Sequence, residues 1–338
     1  MNATRVLGPT PPRFSLGWSI AALPLAAAFA AIAPDALLSA WRFAAVAALA
    51  LPLGALFWTL LLPMTGARWG DDLKPWWTAW INVLPVLWLV ALPPWAPLLH
   101  TSAPWPHYDS AGMAVVRVAL PTAVLCLLAR LAVRTARRQG TAAVAFIVLV
   151  FTLHPWLDDL ATHLTPGWHS TAFPLLWMTG AASAAFATAL LLRRGAGRER
   201  EAARARGNLL LATATFWCYL GFAQYLIIWE ADLPRETAWF FARRAGAWAL
   251  VPPAIALAHF AAPLGLLLFR RVSASRAGLS AAAGAVVVGQ LLFNAWIVLP
   301  APPANPVQPG WLPALLAAPV LIVLVAPLLR LRPDPSLP

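Results

Sequence analysis

Six residues between positions 224 and 259 carry side chains that could bind a small redox molecule and exchange protons with it. They are Gln224, Tyr225, Trp229, Glu230, Arg244 and His259. The amide, phenol and guanidinium can donate hydrogen bonds to carbonyl oxygens, and the indole can wall an aromatic ring. The carboxylate and the imidazole could take up protons. Quinones need these three kinds of group, so the six residues form a candidate quinone and proton-handling site, with no catalytic residue assigned.

The same stretch has a purely structural interpretation. Asp232 and Pro234 predict the start of a helix, as a cap and a first-turn residue. Along that helix arginines and aromatic rings recur every four residues in two rows, Arg235, Trp239 and Arg243 in one and Phe240, Arg244 and Trp248 in the other. A guanidinium stacked on a ring stabilises by ~0.5–2 kcal/mol. A helix held by cation–π contacts and a ligand site therefore both remain open.

His259 and three further polar residues, Gln290, Asn294 and Arg117, fall within predicted membrane spans. His259 lies near the middle of its span, where it is either a hydrogen-bonded core residue or a proton relay. Gln290 and Asn294 are four residues apart on another span, which places both amides on one helix face. They are either contacts between helices or part of a polar site. Arg117 is predicted to extend its guanidinium to the outer interface.

The composition identifies the chain as an integral membrane protein. It is 61% hydrophobic and 11% charged, with a mean hydropathy of +0.72, which excludes a soluble domain. A membrane-spanning helix needs ~20 apolar residues, and about ten segments qualify. They are 17–33, 41–62, 78–99, 112–133, 141–157, 171–192, 208–229, 249–269, 279–299 and 311–329. The fold class is therefore all-α, with about ten transmembrane helices.

The placement of charge sets the orientation. Most of the 24 lysines and arginines fall in alternate loops, and the segment 193–206 is the most basic. Basic residues mark cytoplasmic loops, so both termini are predicted to be cytoplasmic. The net charge of +12 then reflects topology and contact with anionic lipid, and it does not indicate nucleic-acid binding.

The N-terminal span and the cysteines bear on processing and cofactors. Ala31-Ile32-Ala33 resembles a signal-peptidase site, but Pro34 directly after it favours an uncleaved span. Cys126 and Cys218 both lie in spans and offer no disulfide, haem-attachment or iron–sulfur pattern. No covalent cofactor and no metal site is expected. The group His154, Asp158, Asp159 and His163 is interpreted as a solvated cluster.

Residues 1–338 are predicted to form one polytopic membrane domain. Short loops join most spans, so neighbouring helices should pack antiparallel as bundles. Two connections rich in tryptophan, the inner segment 65–77 and the outer segment 233–248, are predicted to lie at the membrane interfaces, where Trp is preferred.

Five segments of the chain resemble one protein family. They are Gln224-Tyr-Leu-Ile-Ile-Trp-Glu-Ala-Asp-Leu-Pro-Arg-Glu-Thr-Ala-Trp239, Gly246-Ala-Trp248, His259-Phe-Ala-Ala-Pro263, Leu62-Pro-Met-Thr-Gly-Ala-Arg-Trp69 and Trp296-Ile-Val-Leu-Pro300. In order and spacing, across about residues 40–300, they resemble the second quinone-binding membrane subunit of bacterial alternative complex III. The chain departs from that family's pattern at Glu230, Asp232, Arg235 and Phe240.

The resemblance implies a polysulfide-reductase-like fold of two four-helix bundles with flanking helices. It also implies a subunit of a quinol:cytochrome c or oxidase-linked complex in the bacterial inner membrane, with haem c and iron–sulfur proteins as partners. A structural or assembly protein of a respiratory complex that binds no quinone is the alternative. A small-molecule transporter ranks last, because no charged pair lies at the midplane of two helices.

Overall fold

The structure is a computed structural model, and it describes residues 24, 27, 31–66, 69–92, 111–135, 139–164, 168, 170–193, 200–232, 234–244 and 246–300. Those residues are almost entirely helical and contain no strand. The predicted all-α class is therefore confirmed for this part of the chain.

Ten helical elements follow one another along the described residues. They are α1 Pro34–Thr65, α2 Lys74–Ala91, α3 Ala111–Thr135, α4 Gln139–Leu164, α5 Phe173–Leu192, α6 Arg200–Ala231, α7 Pro234–Ala242, α8 Gly246–Leu268, α9 Arg270–Ser273 and α10 Arg276–Val298. Proline begins α1, α2, α5 and α7 at or near the first helical position, where its missing N–H costs nothing.

Seven of these helices are long and apolar enough to cross a membrane, namely α1, α3, α4, α5, α6, α8 and α10. They identify the chain as a multi-pass membrane protein. The predicted third span begins earlier than expected, as α2 at Lys74, and α2 is not among the seven. Most of the first predicted span, 17–33, and all of the last, 311–329, lie outside the described residues.

α5 is the central helix. It packs against α1, α4, α6 and α10, and small residues fill its middle, so neighbouring backbones approach closely. A side chain at Gly54 of α1 would collide with the backbone carbonyl of Ala181 on α5. The indole of Trp58 donates a 2.7 Å hydrogen bond to the carbonyl of Ala182. Replacing Gly54 by any larger residue would force α1 away from α5.

Aromatic rings fill the inner end of the contact between α1, α2 and α5. Trp58, Trp69, Trp77 and Phe186 lie with ring centroids 5.3–6.4 Å apart. Trp77 is fully buried, whereas Trp69 and Trp76 are half-buried and pack against the core. In the same connection Asp72 accepts hydrogen bonds of 2.8 Å from arginines at the end of α5 and the start of α6.

α3 and α4 pack as a pair beside α1 and α2. Arg117 of α3 was predicted to extend to the interface, but its Nε donates to Asp159 Oδ2 of α4 at 2.7 Å, and the guanidinium is buried. Asp159 lies 20 residues from the start of α4, a helix of 26 residues, and Arg117 lies near the start of the antiparallel α3. Pairing there avoids the cost of an isolated charge in the membrane.

α6 and α10 pack against α5, α8 packs against α6 and α10, and α7 contacts the end of α10. α8 is irregular: a 3₁₀ turn at Gly246–Leu250 leads into α-helix, then into a π-helical segment at Ala256–Ala261, and then into α-helix again. π-Helical segments arise from one inserted residue and often occur at functional sites. Here the segment contains His259.

Candidate functional site

A cavity of about 620 Å³ lies between α6, α8 and α10, beneath α7. Nearly half of the residues that line it are aromatic. The rings come from Trp168, Phe173, Trp217, Phe222, Tyr225, Trp229, Trp239, Phe240, Phe241, Phe293 and Trp296. The polar side chains in the lining are few, and they include Gln224, Thr237, Arg243 and Arg244. Such a cavity favours a flat, largely apolar ligand with a small number of polar atoms.

The structure brings four of the six candidate residues together in this cavity: Gln224, Tyr225, Trp229 and Arg244. Gln224 is 7% exposed, whereas Tyr225 and Trp229 are 52% and 63% exposed. The two rings therefore stand at an open side of the cavity, which faces the surroundings of the bundle. Glu230 is exposed on α6 and does not line the cavity, and His259 lies behind its wall.

Gln224 is fixed by a contact within the helix bundle. Its Nε2 donates to the hydroxyl oxygen of Ser170 at 2.8 Å. The same oxygen accepts from the backbone N–H of Phe173, in the first turn of α5, at 3.2 Å. The amide of Gln224 thus ties α6 to the start of α5, and its position in the cavity wall is set by that bond.

Arg243 also lines the cavity, although it was not among the six candidate residues predicted from the sequence. It is 1% exposed, and its guanidinium donates to three carbonyl oxygens at 3.0–3.1 Å, those of Trp239, Trp296 and Ile297. Its Cζ lies 3.7 Å from the ring centroid of Trp239, so one predicted cation–π contact is present. Burial lowers the pKa of Arg243 to about 9, which leaves the guanidinium charged at neutral pH.

Arg243 also fastens α7 to the end of α10. The carbonyls of Trp296 and Ile297 belong to the last turn of α10, where helical carbonyls have no partner in the helix and carry partial negative charge. The second predicted row consisted of Phe240, Arg244 and Trp248. In the structure Arg244 lies 5.8 Å from the ring centroid of Phe241, which is outside that row. The side chain of Arg235 lies outside the described residues.

Three indoles form the roof of the cavity. Trp239 of α7 stacks on Trp168 with ring centroids 4.5 Å apart, and it meets Trp296 of α10 edge to face at 4.8 Å. The helix predicted after Asp232 and Pro234 is present as α7. Its aromatic residues face inward over the cavity, so the segment 233–248 supplies a wall of the cavity.

His259 lies at the centre of the bundle, fully buried. Its ring stacks on that of Trp217, which also lines the cavity, with centroids 4.1 Å apart. Neither imidazole nitrogen has a hydrogen-bond partner within the described part of the chain. The described contacts therefore show a buried core histidine that is stacked on an indole and is not hydrogen-bonded to the described residues.

The amides of Gln290 and Asn294 lie next to this histidine. Asn294 Oδ1 accepts from Gln290 Nε2 at 3.1 Å and from the indole of Trp177 at 3.2 Å. The carbonyl oxygen of Gln290 points at Gly180 of α5, where a Cβ atom would collide with it. The indole nitrogen of Trp217 lies 3.0 Å from the same Cβ position. Gly180 therefore provides the space in which these polar groups converge.

A second cavity, of about 230 Å³, lies between α1, α5 and α10. It is lined mainly by alanines of α1 and by the side chains of α10 that include Gln290 and Asn294. The two amides thus border this cavity and do not line the aromatic one. Unsatisfied polar atoms are unusual in a protein interior, and several of them converge here, on Trp217, His259, Gln290 and Asn294.

Comparison with protein-family models and with curated proteins found no match. The resemblance to the alternative complex III subunit therefore stays a hypothesis from the residues. Within the described residues no group of three His, Cys, Asp or Glu side chains is placed to hold a metal ion.

Proposed function

We propose that this chain is an integral membrane subunit of a respiratory complex that oxidises quinol and passes the electrons to cytochrome c or to an oxidase. Its own part is to bind quinone and handle protons beside it. The observation that carries the proposal is the aromatic cavity, because four residues nominated from the sequence for quinone binding, Gln224, Tyr225, Trp229 and Arg244, line it.

The dimensions of the cavity support this ligand class. Its lining runs along α6 from Trp229 to Trp217, a distance of about 18 Å at the rise of an α-helix. That length accommodates a quinone ring and the first part of an isoprenoid tail. The exposed rings of Tyr225 and Trp229 leave a lateral opening through which a lipid-soluble molecule could enter from the bilayer.

The proposed fold is that of the family the sequence resembles, two four-helix bundles with flanking helices. α1 packs on α2 and α4, α10 packs on α5, α6 and α8, and a close contact between α1 and α5 joins these helices. The proposed setting is the bacterial inner membrane, with haem c and iron–sulfur subunits as partners. In this proposal the partners carry the electrons, and quinone is the only cofactor, bound without a covalent link.

A second candidate function is a structural or assembly role in a respiratory complex without quinone binding. Two observations favour it. The Nε2 of Gln224 is already bonded to Ser170, and Glu230, the acid nominated for proton transfer, does not line the cavity. In that case the tryptophan roof and Arg243 serve only to fix α7 on the bundle.

Cys218 offers a direct test of quinone binding, since it lines the cavity and Cys126 on α3 does not. In a Cys126→Ser background, Cys218 is the only thiol. Its rate of modification by a membrane-permeable maleimide is measured with and without a short-chain ubiquinone analogue. The proposal predicts that the analogue slows the reaction in a saturable manner.

A hydrocarbon of the same chain length, without the ring, is the matched control and should protect much less. Equal protection by both molecules, or none by either, would overturn quinone binding. Trp229→Ala removes a wall of the cavity and should weaken protection, whereas Trp76→Ala, near the inner face, should not.

Purification of the native complex tests whether the chain belongs to a respiratory complex. Co-migration with haem c and iron–sulfur proteins supports a respiratory assembly, and a protein that purifies alone without them contradicts it. Quinone extracted from the complex and lost in Gln224→Ala, with assembly intact, separates the quinone-binding function from the structural one. His259→Leu is expected to impair quinol oxidation and proton release if His259 is a proton relay.

A further inference from the structure

The lining of the aromatic cavity carries positive charge without an acid. Arg243 and Arg244 are both among the residues around it, and no Asp or Glu of the described chain is. The acids nearest in sequence are Glu230 on α6, Asp232 in the turn before α7, and Glu236 in the first turn of α7. None of the three lines the cavity. The electrostatic potential inside it is therefore set by the two arginines.

The two arginines differ in what they can offer to a ligand. All three nitrogens of Arg243 donate to backbone carbonyls, and two of those carbonyls end α10. The negative end of that helix offsets part of its charge. Arg244 is exposed, and its described contact is a loose one above the ring of Phe241. Arg244 is thus the lining cation whose guanidinium shows no hydrogen bond to a carboxylate or a carbonyl among the described residues.

The other donors in the wall are neutral or already used. Gln224 Nε2 is bonded to Ser170. The indole N–H groups of Trp168 and Trp296 have no acceptor among the described residues, but an indole donates equally well to a neutral carbonyl. Among the described lining residues, a direct charge-assisted hydrogen bond to a ligand can therefore come from Arg244, and such a bond is about twice as strong as a neutral one.

We infer that Arg244 determines the specificity of the cavity for ligands with a negatively charged ring oxygen. The inference rests on the proposed quinone site and adds to it a preference among quinone-like molecules. A ring that carries an ionised hydroxyl group can place its oxygen against the guanidinium at the exposed edge of the cavity and form a charge-assisted hydrogen bond there. A neutral ring of the same shape keeps the aromatic contacts and forgoes that interaction.

Two alkylated naphthoquinones of matched size test the inference. One carries an acidic 2-hydroxyl group, which is ionised at neutral pH, and the other carries a 2-methoxy group and is neutral. Their dissociation constants are measured by isothermal titration calorimetry on the full chain in phosphatidylcholine nanodiscs. Because the two probes partition differently into lipid, the quantity compared is the ratio of their constants in each variant.

Wild-type protein is expected to bind the anionic probe more tightly than Arg244→Gln does by a factor of about 10, the low end for a hydrogen bond to a charged group, because Arg244 is exposed. The neutral probe should bind both variants equally, within a factor of about two. Arg244→Lys retains the charge without the planar fork and should fall between them. Arg271→Gln, an exposed arginine near the inner face, should change neither constant.

The outcomes separate this inference from the proposed function. If neither probe binds the wild-type protein, the quinone site itself is wrong, and the inference falls with it. If both bind and Arg244→Gln leaves their ratio unchanged, or Arg271→Gln changes it as much, the specificity role of Arg244 is wrong while the quinone site stands. Unchanged melting temperatures of the variants establish that any loss concerns the site.

Discussion

The imidazole of His259 and the indole of Trp217 stack face to face, with ring centroids 4.1 Å apart, in the middle of a membrane-spanning bundle. The indole also forms part of the wall of the aromatic cavity. A ligand at the inner end of the cavity would therefore contact a ring that is itself in contact with the buried histidine. Trp217 therefore connects the aromatic cavity to the buried His259 through ring stacking.

Replacing His259 by phenylalanine should not destabilise the protein. Phenylalanine keeps the stacking on Trp217, and it removes two nitrogen atoms that have no described hydrogen-bond partner. We expect the free energy of unfolding to stay the same or to rise by up to about 1 kcal/mol. Thermal unfolding in detergent measures the change.

Asn294→Leu is the contrasting variant, because its Oδ1 accepts from Gln290 and from Trp177. Removing this acceptor leaves two buried donors without a partner and should cost about 2 kcal/mol or more. If His259→Phe is as destabilising as Asn294→Leu, the imidazole nitrogens bind something in the native protein, such as ordered water, and the prediction fails.

Gly289 should tolerate no side chain. A Cβ atom there would lie 2.6 Å from both the backbone nitrogen and the Cβ of His259. Gly289→Ala must push α10 away from the π-helical segment of α8, so we expect a loss of about 2 kcal/mol or more. Its measurement is again the unfolding midpoint in detergent.

Gly284→Ala is the matched control on the same helix, since nothing lies within 4 Å of its Cβ position. Alanine is the better helix former, and this variant should be stabilised by about 0.5–1 kcal/mol. Two alanine variants of α10 with opposite signs would establish the close approach of His259. Equal effects at the two glycines would disprove it.

The sequence was sufficient for the helical class and for the membrane setting, because both depend on long apolar runs. Gln224, Tyr225 and Trp229 were chosen from the sequence by chemical type, and they line one cavity; their role in quinone binding stays a prediction. Tyr225 and Trp229 are four residues apart, so they share a helix face. Glu230 follows Trp229 directly and is turned by about 100°, away from that face.

Tertiary contacts decided what the sequence could not. Arg243 and Arg244 are adjacent and chemically identical, but only Arg243 reaches the last carbonyls of α10. That outcome depends on where α7 rests on α10, which local pattern does not specify. Trp77 belongs to a segment predicted to be interfacial, and it is buried beside Trp58 by a contact between α1 and α2 that local pattern also does not specify.

The ion pair between Arg117 and Asp159 should contribute strongly to the packing of α3 on α4. Its 2.7 Å contact is buried, and removing one partner leaves the other charge within the membrane. We expect Arg117→Gln or Asp159→Asn alone to cost about 3–5 kcal/mol. The double variant should cost less than the sum, with a coupling of about 1–3 kcal/mol.

An exposed ion pair gives the comparison for this double-mutant cycle. Lys74 and Asp71 are also 2.7 Å apart, but both side chains are half exposed, and their coupling should be below about 1 kcal/mol. Unfolding in a denaturing detergent at two salt concentrations measures both cycles. Salt should weaken the exposed pair more, and equal coupling energies in the two cycles would contradict the burial of Arg117.

Arg243 and its neighbour Arg244 form the last matched pair. Arg243→Met removes three hydrogen bonds to carbonyls and the contact with Trp239. It leaves the carbonyls of Trp296 and Ile297 unpaired under the tryptophan roof, so a loss of about 3 kcal/mol is expected. Arg244→Met removes an exposed guanidinium and should change the free energy of unfolding by no more than about 0.5 kcal/mol.

A local measurement shows whether the stability lost in Arg243→Met is lost in α7. Hydrogen exchange of the segment 234–244 should accelerate in Arg243→Met and stay unchanged in Arg244→Met, because only the first variant releases α7 from α10. Arg243→Lys should be intermediate, since an ammonium group lacks the planar fork that reaches three carbonyls at once. If exchange accelerates equally in the two methionine variants, the carbonyl contacts of Arg243 do not hold α7 in place.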